Sequence, residues 1–598
     1  MSEPKKVGRR TFLNYAIAVV ATGVIVGAAT YFAVPKGVTT VTAPGTTVTT
    51  TVTTTVTGTP TTSPTTSPTT SPTTTPSDPY IAAAHECAQW VGEDTVLTQS
   101  QLIEELEFFA RAAAPYRGKT LLIMYEAIPP AEWEEKYLGP WFEKITGIKV
   151  KWESMSNWET ILKSIEDAQS KAGIYDVIGS DQDMTGYYAY NRSALDLTDF
   201  MEKNPDLVPP HIDIEDFYAR AWYSDWRNGH LIALLAYNAI HGTVYRKDLF
   251  EDSTNQQKFK AKYGYELKTP LQYFYDAQKT GDVHDDWTID KAKDVMEFFT
   301  RPEENLYGTI TCLKPGDHMG WLTCDGMDDV FQLPSPPPAG KNPIECTGYE
   351  PITTSWGLHI ENDIIYGVSK ENGGALNNDQ PPEDGVAMFN HWLKEMPKYS
   401  PPKGFQIDAV EQHMAFGIDG NYALFYPSYL WFTSTYNGPD SKIKGKFEYG
   451  PLPVYVPNYQ KGKVRGYIDP SGWVISNYSK NKEAAWLFCT FMTSKAFDLK
   501  KTLVHGTPIR TSSMNSPKWT PKDKELGGLV TLFRQTVKMQ GGTDARMVFY
   551  PFFTSVAADK ISEAMQKGLD PKGIADSAAT AMDDWLKANG WYKKNLRV

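Results

Sequence analysis

Flat aromatic rings and planar polar groups recur just after the predicted strands of this chain. Tyr125 and Glu126 follow a short apolar strand, Thr120 to Met124, and Asn157 and Trp158 follow an alternating strand ending at Ser154. Asp181 and Asp183 follow the strand Tyr175 to Gly179, and Tyr429 and Trp431 follow Ala423 to Tyr426. Rings cover C–H faces while carboxylates and amides take hydroxyls, which is the chemistry of non-covalent capture of a polyhydroxylated solute in an enclosed cleft. Each residue has a plainer alternative. An Asp after a strand often caps a helix or turn, and Glu126 can equally form a structural ion pair. In a chain with 17 Trp and 33 Tyr, a single ring is more often packing.

Catalysis needs a nucleophile with its base, a metal cluster or a phosphate loop. No HExxH, GxSxG, GxxxxGK[ST] or GxGxxG is present. The acidic run Asp282, His284, Asp285 and Asp286 has the groups for a cation, but it precedes Thr288, placed as a helix cap, and reads as a solvated loop. No enzyme activity, metal or cofactor is expected. The separation of two glycosidase carboxylates is a structural quantity that a sequence does not display.

The elements that would position these residues alternate. A helix over 98–113 carries Leu102, Leu106 and Phe109, with Thr98 and Gln101 set as a capping box. After the first strand comes a helix with Trp133, Tyr137, Trp141 and Ile145 that stops at Gly147. In the next strand Ile148, Val150 and Trp152 face one side and Lys149, Lys151 and Glu153 the other. A helix with Ile161, Leu162 and Ile165 then precedes the third strand. Strands alternating with helices of this length predict an α/β class with a parallel sheet.

The 598 residues are 41% hydrophobic and 13% aromatic, enough for large cores and more than one domain. A net charge of -12 without a basic stripe argues against nucleic acid as a partner. Lys5, Lys6, Arg9 and Arg10 precede an uncharged stretch from Tyr15 to Val34, close to the roughly 20 apolar residues that span a bilayer. Residues 1–35 are therefore read as a signal or membrane anchor, with the rest of the chain outside the cell. Arg9 to Leu13 is similar to a twin-arginine export signal, and cleavage near Ala28-Ala29 is the alternative, giving a secreted protein. Residues 36–79, rich in Thr, Ser and Pro, have nothing to bury and read as an extended stalk. Cys87, Cys312, Cys324, Cys346 and Cys489 in an oxidising exterior suit one or two disulfides, with Cys489 read as a buried hydrophobe.

The blocks PWFEKITGIKV, YDVIGSDQD with ALDLTDFM, AYNAIHGTVYRKDLF, YGTITCL, HMAFGIDGNYALFYPSYLW and GYIDPSGWVISNYSKNKEAAWLFCTFMTSKAF with HGTPIRTSS occur in order. Over roughly 118–598 they resemble the extracellular solute-binding proteins of family 1, the maltose-binding-protein-like receptors of ABC sugar importers. The stalk resembles those of archaeal surface proteins. The resemblance implies a two-lobed periplasmic-binding-protein-like (type II) fold with an interlobe hinge. Beyond a helical extension at 80–117, it implies lobe 1 from 118–236 and 473–530, and lobe 2 from 237–472 and 531–598. It puts crossovers near Tyr237-Asn238 and Gly466 to Ser471, adds Asn238, Asp469 and Trp473 to the candidate ligand residues, and brings Trp431 to the cleft. The implied function is capture of a carbohydrate for ABC permease subunits. A peptide or polyamine ligand, or a glycan-binding adhesion role without an importer, is the competing expectation. An insertion near 312–382 and the extension depart from the family pattern.

Overall fold

A computed structural model describes residues 78–181, 184–219, 223–225, 228–279, 287–315, 359–361, 364–367, 383–455, 468–537 and 550–595. The chain separates into two compact units, Met1–Thr73 and Thr74–Val598, and every described residue belongs to the second. The expected anchor and residues 36–77 of the stalk lie outside the described residues, as do the acidic run at 282–286 and most of the insertion. Among the described residues no helix is long and apolar enough to cross a membrane.

Helix α1 (Pro79–Val91) starts where Asp78 accepts the N–H of Tyr80 at 2.9 Å, so the last two residues assigned to the stalk open a helix. Helix α2 (Gln99–Ala112) carries the capping box that its sequence predicts, Thr98 and Gln101 each accepting the other's backbone N–H. Glu105 of α2 is 1% exposed and accepts from Ser494 Oγ at 2.9 Å and from the N–H of His211 at 3.0 Å. Paired in this way, a buried carboxylate fastens the extension to the α/β body, and the two share one apolar core.

Strands β1 (Thr120–Glu126), β2 (Lys149–Met155) and β3 (Val177–Asp181) run parallel with β1 in the middle. Between β1 and β2 the chain turns through Pro129–Trp133, widens over Glu134–Leu138 and continues as α3 (Gly139–Thr146), which ends on the left-handed Gly147. Helix α4 (Asn157–Ser170) connects β2 to β3. Strand β4 (Leu234–Arg246) is 13 residues long, and β5 (His359–Glu361) and β6 (Ile364–Gly367) form a separate ladder. Helix α5 (Ala409–Asp419) leads into β7 (Leu424–Tyr429), followed by β8 (Phe447–Gly450) and β9 (Ile468–Ile475). The first half of β4 pairs antiparallel with β9, whose other edge pairs antiparallel with β3. The second half pairs with β7 and β8. One sheet in the order β2-β1-β3-β9-β4-β7 therefore runs through the molecule, with the long strand β4 handing it from one partner set to the other.

The segment YGTITCL, which the resemblance likens to a later strand of the second lobe, makes only an isolated bridge between Tyr307 and Tyr422. Its donors go instead to irregular turns, Thr309 N–H to Tyr399 O and Leu313 N–H to Gly404 O. A Cβ on Gly308 would stand 2.0 Å from Met296 O, so the backbone lies directly on the preceding helix.

Helices α6 (Lys482–Met492) and α7 (Asp498–His505) complete the core around the crossover strands. Lys501 of α7 and Glu134 of the widened turn meet at 2.6 Å with side chains 3% and 0% exposed. Glu134 also accepts from Tyr237 of β4 at 2.8 Å and from Trp473 of β9 at 3.2 Å, and Lys501 donates to Ala236 O at 2.7 Å. Burial pushes the Glu134 carboxyl up and the Lys501 ammonium opposes it. Cys87 and Cys489 are free, buried thiols pushed up by burial, and Cys312 is buried. Cys324 and Cys346 lie outside the described residues.

Two imidazoles, His391 and His505, are buried and held down to about 3, chiefly by burial and further by Lys293 and Lys501 respectively. Nδ1 of His505 lies 3.0 Å from Ser434 Oγ, and its Nε2 meets no partner. A group whose folded pKa is depressed contributes stability above its unfolded pKa, near 6.5, and loses it as pH falls towards the folded value. Each histidine is expected to cost about 2 kcal/mol by pH 5. Glu105, Glu134 and Asp498 are held up by burial and act in the opposite direction, so a difference isolates the histidine. His505→Gln is expected to lose about 2 kcal/mol less than the parent between pH 7 and pH 5 in denaturant unfolding. Parallel pH profiles for the two proteins would contradict this.

Candidate functional site

The C-terminal ends of β1 and β3 and the start of α4 converge. Glu126 is the last residue of β1, Asp181 the last of β3, and Asn157 and Trp158 open α4. Asn157 Nδ2 donates to Asp181 Oδ2 at 3.0 Å and to Glu126 Oε2 at 3.3 Å, and Ser471 Oγ of β9 donates to Asp181 Oδ1 at 3.1 Å. Parallel strands deliver their last residues to one edge, which is why ligands of such sheets gather there.

This edge forms one wall of a groove of about 390 Å³. Glu126, Ala127, Met155, Ser156, Asn157 and Trp158 line it on one side, and Lys314, Pro315, Asp408, Val410 and Glu411 on the other. Both walls are built on helix N-termini. Ser156 and Glu159 close a capping box at the start of α4, and Asp408 and Glu411 close one at the start of α5. These boxes fix the direction in which Asn157, Trp158, Val410 and Glu411 leave the backbone. Lys314 lies 3.6 Å from Asp408 and 3.8 Å from Glu411, so this lysine is held by carboxylates of its own wall. A half-buried indole, aliphatic surface from Met155 and Val410, and several carboxylate and amide groups suit a neutral solute with both C–H faces and hydroxyls.

Of the eleven predicted residues, Glu126, Asn157, Trp158 and Asp181 come together here. Tyr125 points the other way, 1% exposed, with its ring edge on Trp152 at 5.7 Å and its hydroxyl on Glu135. Trp473 is fully buried between Tyr237, Trp152 and Phe488, its Nε1 committed to Glu134, and so is a core ring in this structure. Trp431 is 3% exposed and stacks on Tyr429 at 5.4 Å. Tyr429 ends β7, half-buried, with its N–H donated to His413 Nε2 at 2.8 Å. Asn238 is fully buried within β4, and its amide finds no hydrogen-bond partner. Asp469 stands in β9 opposite Ala239, and Asp183 lies outside the described residues. The second wall and Ser471 were not predicted. The motif Asp408-x-x-Glu411 was readable as a cap, but nothing in the chain announces that this helix start faces α4.

The mixed sheet and its long crossover strands are the framework of an α/β solute-binding protein. The bacterial extracellular solute-binding protein family matches residues 141–527, well over half of the chain, and the chain belongs to that family. The ABC transporter solute-binding protein of Agrobacterium vitis S4, solved with D-mannitol, is 17% identical with a TM-score of 0.59, over 79% of this chain and 99% of that one. The Agrobacterium radiobacter K84 protein, solved with ribitol, is 19% identical with a TM-score of 0.56, over 78% and 99%. Maltose-bound MalE3 of T. maritima is 16% identical with a TM-score of 0.53, over 79% and 100%. At such identities the likeness establishes the two-lobed fold. The family and these structures are binding proteins rather than enzymes.

Proposed function

We propose that this protein captures a carbohydrate or polyol in the groove outside the cell and delivers it to the permease subunits of an ABC importer. The observation that carries this reading is the lining of the groove by two separate parts of the chain, 126–158 and 314–411. These parts fall on opposite sides of the lobe division read from the sequence, 118–236 with 473–530 against 237–472 with 531–598. A solute touching both gains its full contacts only when the lobes are closed, so closure follows occupancy. The structural relatives solved with mannitol, ribitol and maltose support the solute class. Residues 1–35 would tether the protein and 36–77 hold it above the membrane.

Thermal unfolding with maltose, D-mannitol, spermidine or a peptide mixture tests the solute class. Binding at 100 times Kd adds about 2.7 kcal/mol of stability, so a neutral sugar or polyol is expected to raise Tm by several degrees. A rise with spermidine or peptides alone would overturn the carbohydrate reading. Co-purification with a permease separates import from an adhesion role.

A further inference from the structure

Ser471 lies where three strands share a rung. It stands opposite Asp181 of β3 on one side and Tyr237 of β4 on the other. It is not among the residues lining the groove. Its hydroxyl donates to Asp181 Oδ1 at 3.1 Å, Asp181 Oδ2 accepts from Asn157 at 3.0 Å, and Asn157 reaches Glu126 at 3.3 Å. Asn157 and Glu126 do line the groove. An unbroken path of side-chain hydrogen bonds therefore runs from the groove wall into a crossover strand. A carboxylate that accepts on both oxygens is oriented from both sides, and hydrogen bonds to a charged acceptor are strong and directional. Movement of Asn157 is thus felt at Ser471.

The rung is also where the neighbouring crossover strand is irregular. The β4 register shifts between Leu235 and Tyr237, and a bulge is a place where a strand bends. One residue further on, the Asn238 amide is fully buried with both polar atoms unpaired. Buried amides left unpaired disfavour the arrangement that buries them, so this stretch of β4 carries a local cost beside Ser471. We propose that Asp181 is a positioning residue that transmits occupancy of the groove to the bend of the crossover strands through Ser471. The inference rests on the groove being the solute site and adds the route by which the solute is sensed.

Amide hydrogen exchange of the full chain, read by mass spectrometry without ligand, tests the route. Asn157→Ala is expected to raise exchange over 469–474 about fivefold and to leave β1 unchanged. In a Ser471→Ala background the same substitution should change 469–474 less than twofold. Asn157→Asp, which keeps the helix start but replaces the donor with an acceptor, should reproduce the effect. An effect spread equally over β1, or one that persists in full without the Ser471 hydroxyl, would overturn the proposal in favour of general loosening. Unchanged exchange at 469–474 would overturn it as well. With maltose added, the parent should slow at both 156–160 and 469–474, and Ser471→Ala only at 156–160. If maltose slows neither segment in the parent, maltose fails as a solute, while the ligand-free comparison still decides the route.

Discussion

Replacing Lys501 with methionine is expected to lower the unfolding free energy by about 3–5 kcal/mol, a large fraction of the stability of an ordinary domain. Glu134 has no exposed surface, and Lys501 is its only charged partner among the described residues. The remaining donors on that carboxylate are the hydroxyl of Tyr237 and the indole of Trp473. Removing the ammonium leaves a buried charge that must be protonated or drag water into the core. The double replacement Glu134→Leu with Lys501→Met should recover much of the loss, because it removes the unpaired charge as well as the pair. Urea unfolding of the two variants measures both. A double variant as unstable as Lys501→Met would show that the hydrogen bonds to Tyr237 and Trp473 matter more than the charge.

The second large effect is on binding. Trp158→Ala should weaken capture of a neutral sugar or polyol by roughly 10- to 100-fold, in line with the loss of a buried aromatic anchor from an interface. Among the described residues of the lining Trp158 supplies the one aromatic face, and the capping box at Ser156 and Glu159 sets its direction. Because it is half-buried at a helix start, against the margin of the core and not inside it, its loss should leave Tm within a few degrees. Trp158→Phe, which keeps a flat face, should retain most of the affinity. An alanine variant that bound as tightly as the parent would mean that the solute sits elsewhere.

The sequence made the first wall legible and the second wall not, for a physical reason. Strand ends and helix caps are local, so β1, β2 and β3 and the positions of Glu126, Asn157, Trp158 and Asp181 could be read from spacing alone. That four of them converge follows from parallel pairing, which the βαβ pattern already implied. The facing of α5 towards α4 depends on how far apart pieces of chain pack, and Asp408 and Glu411 look like any other cap. Rings misled in the opposite way. A strand end points to Tyr125 and a crossover that the resemblance implies points to Trp473, yet β1 and β9 are interior strands, and their rings pack against Glu134, Trp152 and Phe488. Periodicity shows which face a residue is on but not whether another layer covers that face.

Capture by lobe closure requires that one solute be held from both walls at once. The most direct test is calorimetric titration of the parent, Trp158→Ala and Glu411→Gln with maltose and D-mannitol. Glutamine at 411 keeps the capping box and removes a charged acceptor from the far wall, leaving Asp408 as the carboxylate beside Lys314. Saturable binding of at least one of these solutes by the parent is expected. Glu411→Gln should lose about 5- to 20-fold, as expected for a hydrogen bond to a charged group, and Trp158→Ala should lose more. Binding by the parent that neither substitution weakens, or that only one wall affects, would contradict capture from both walls.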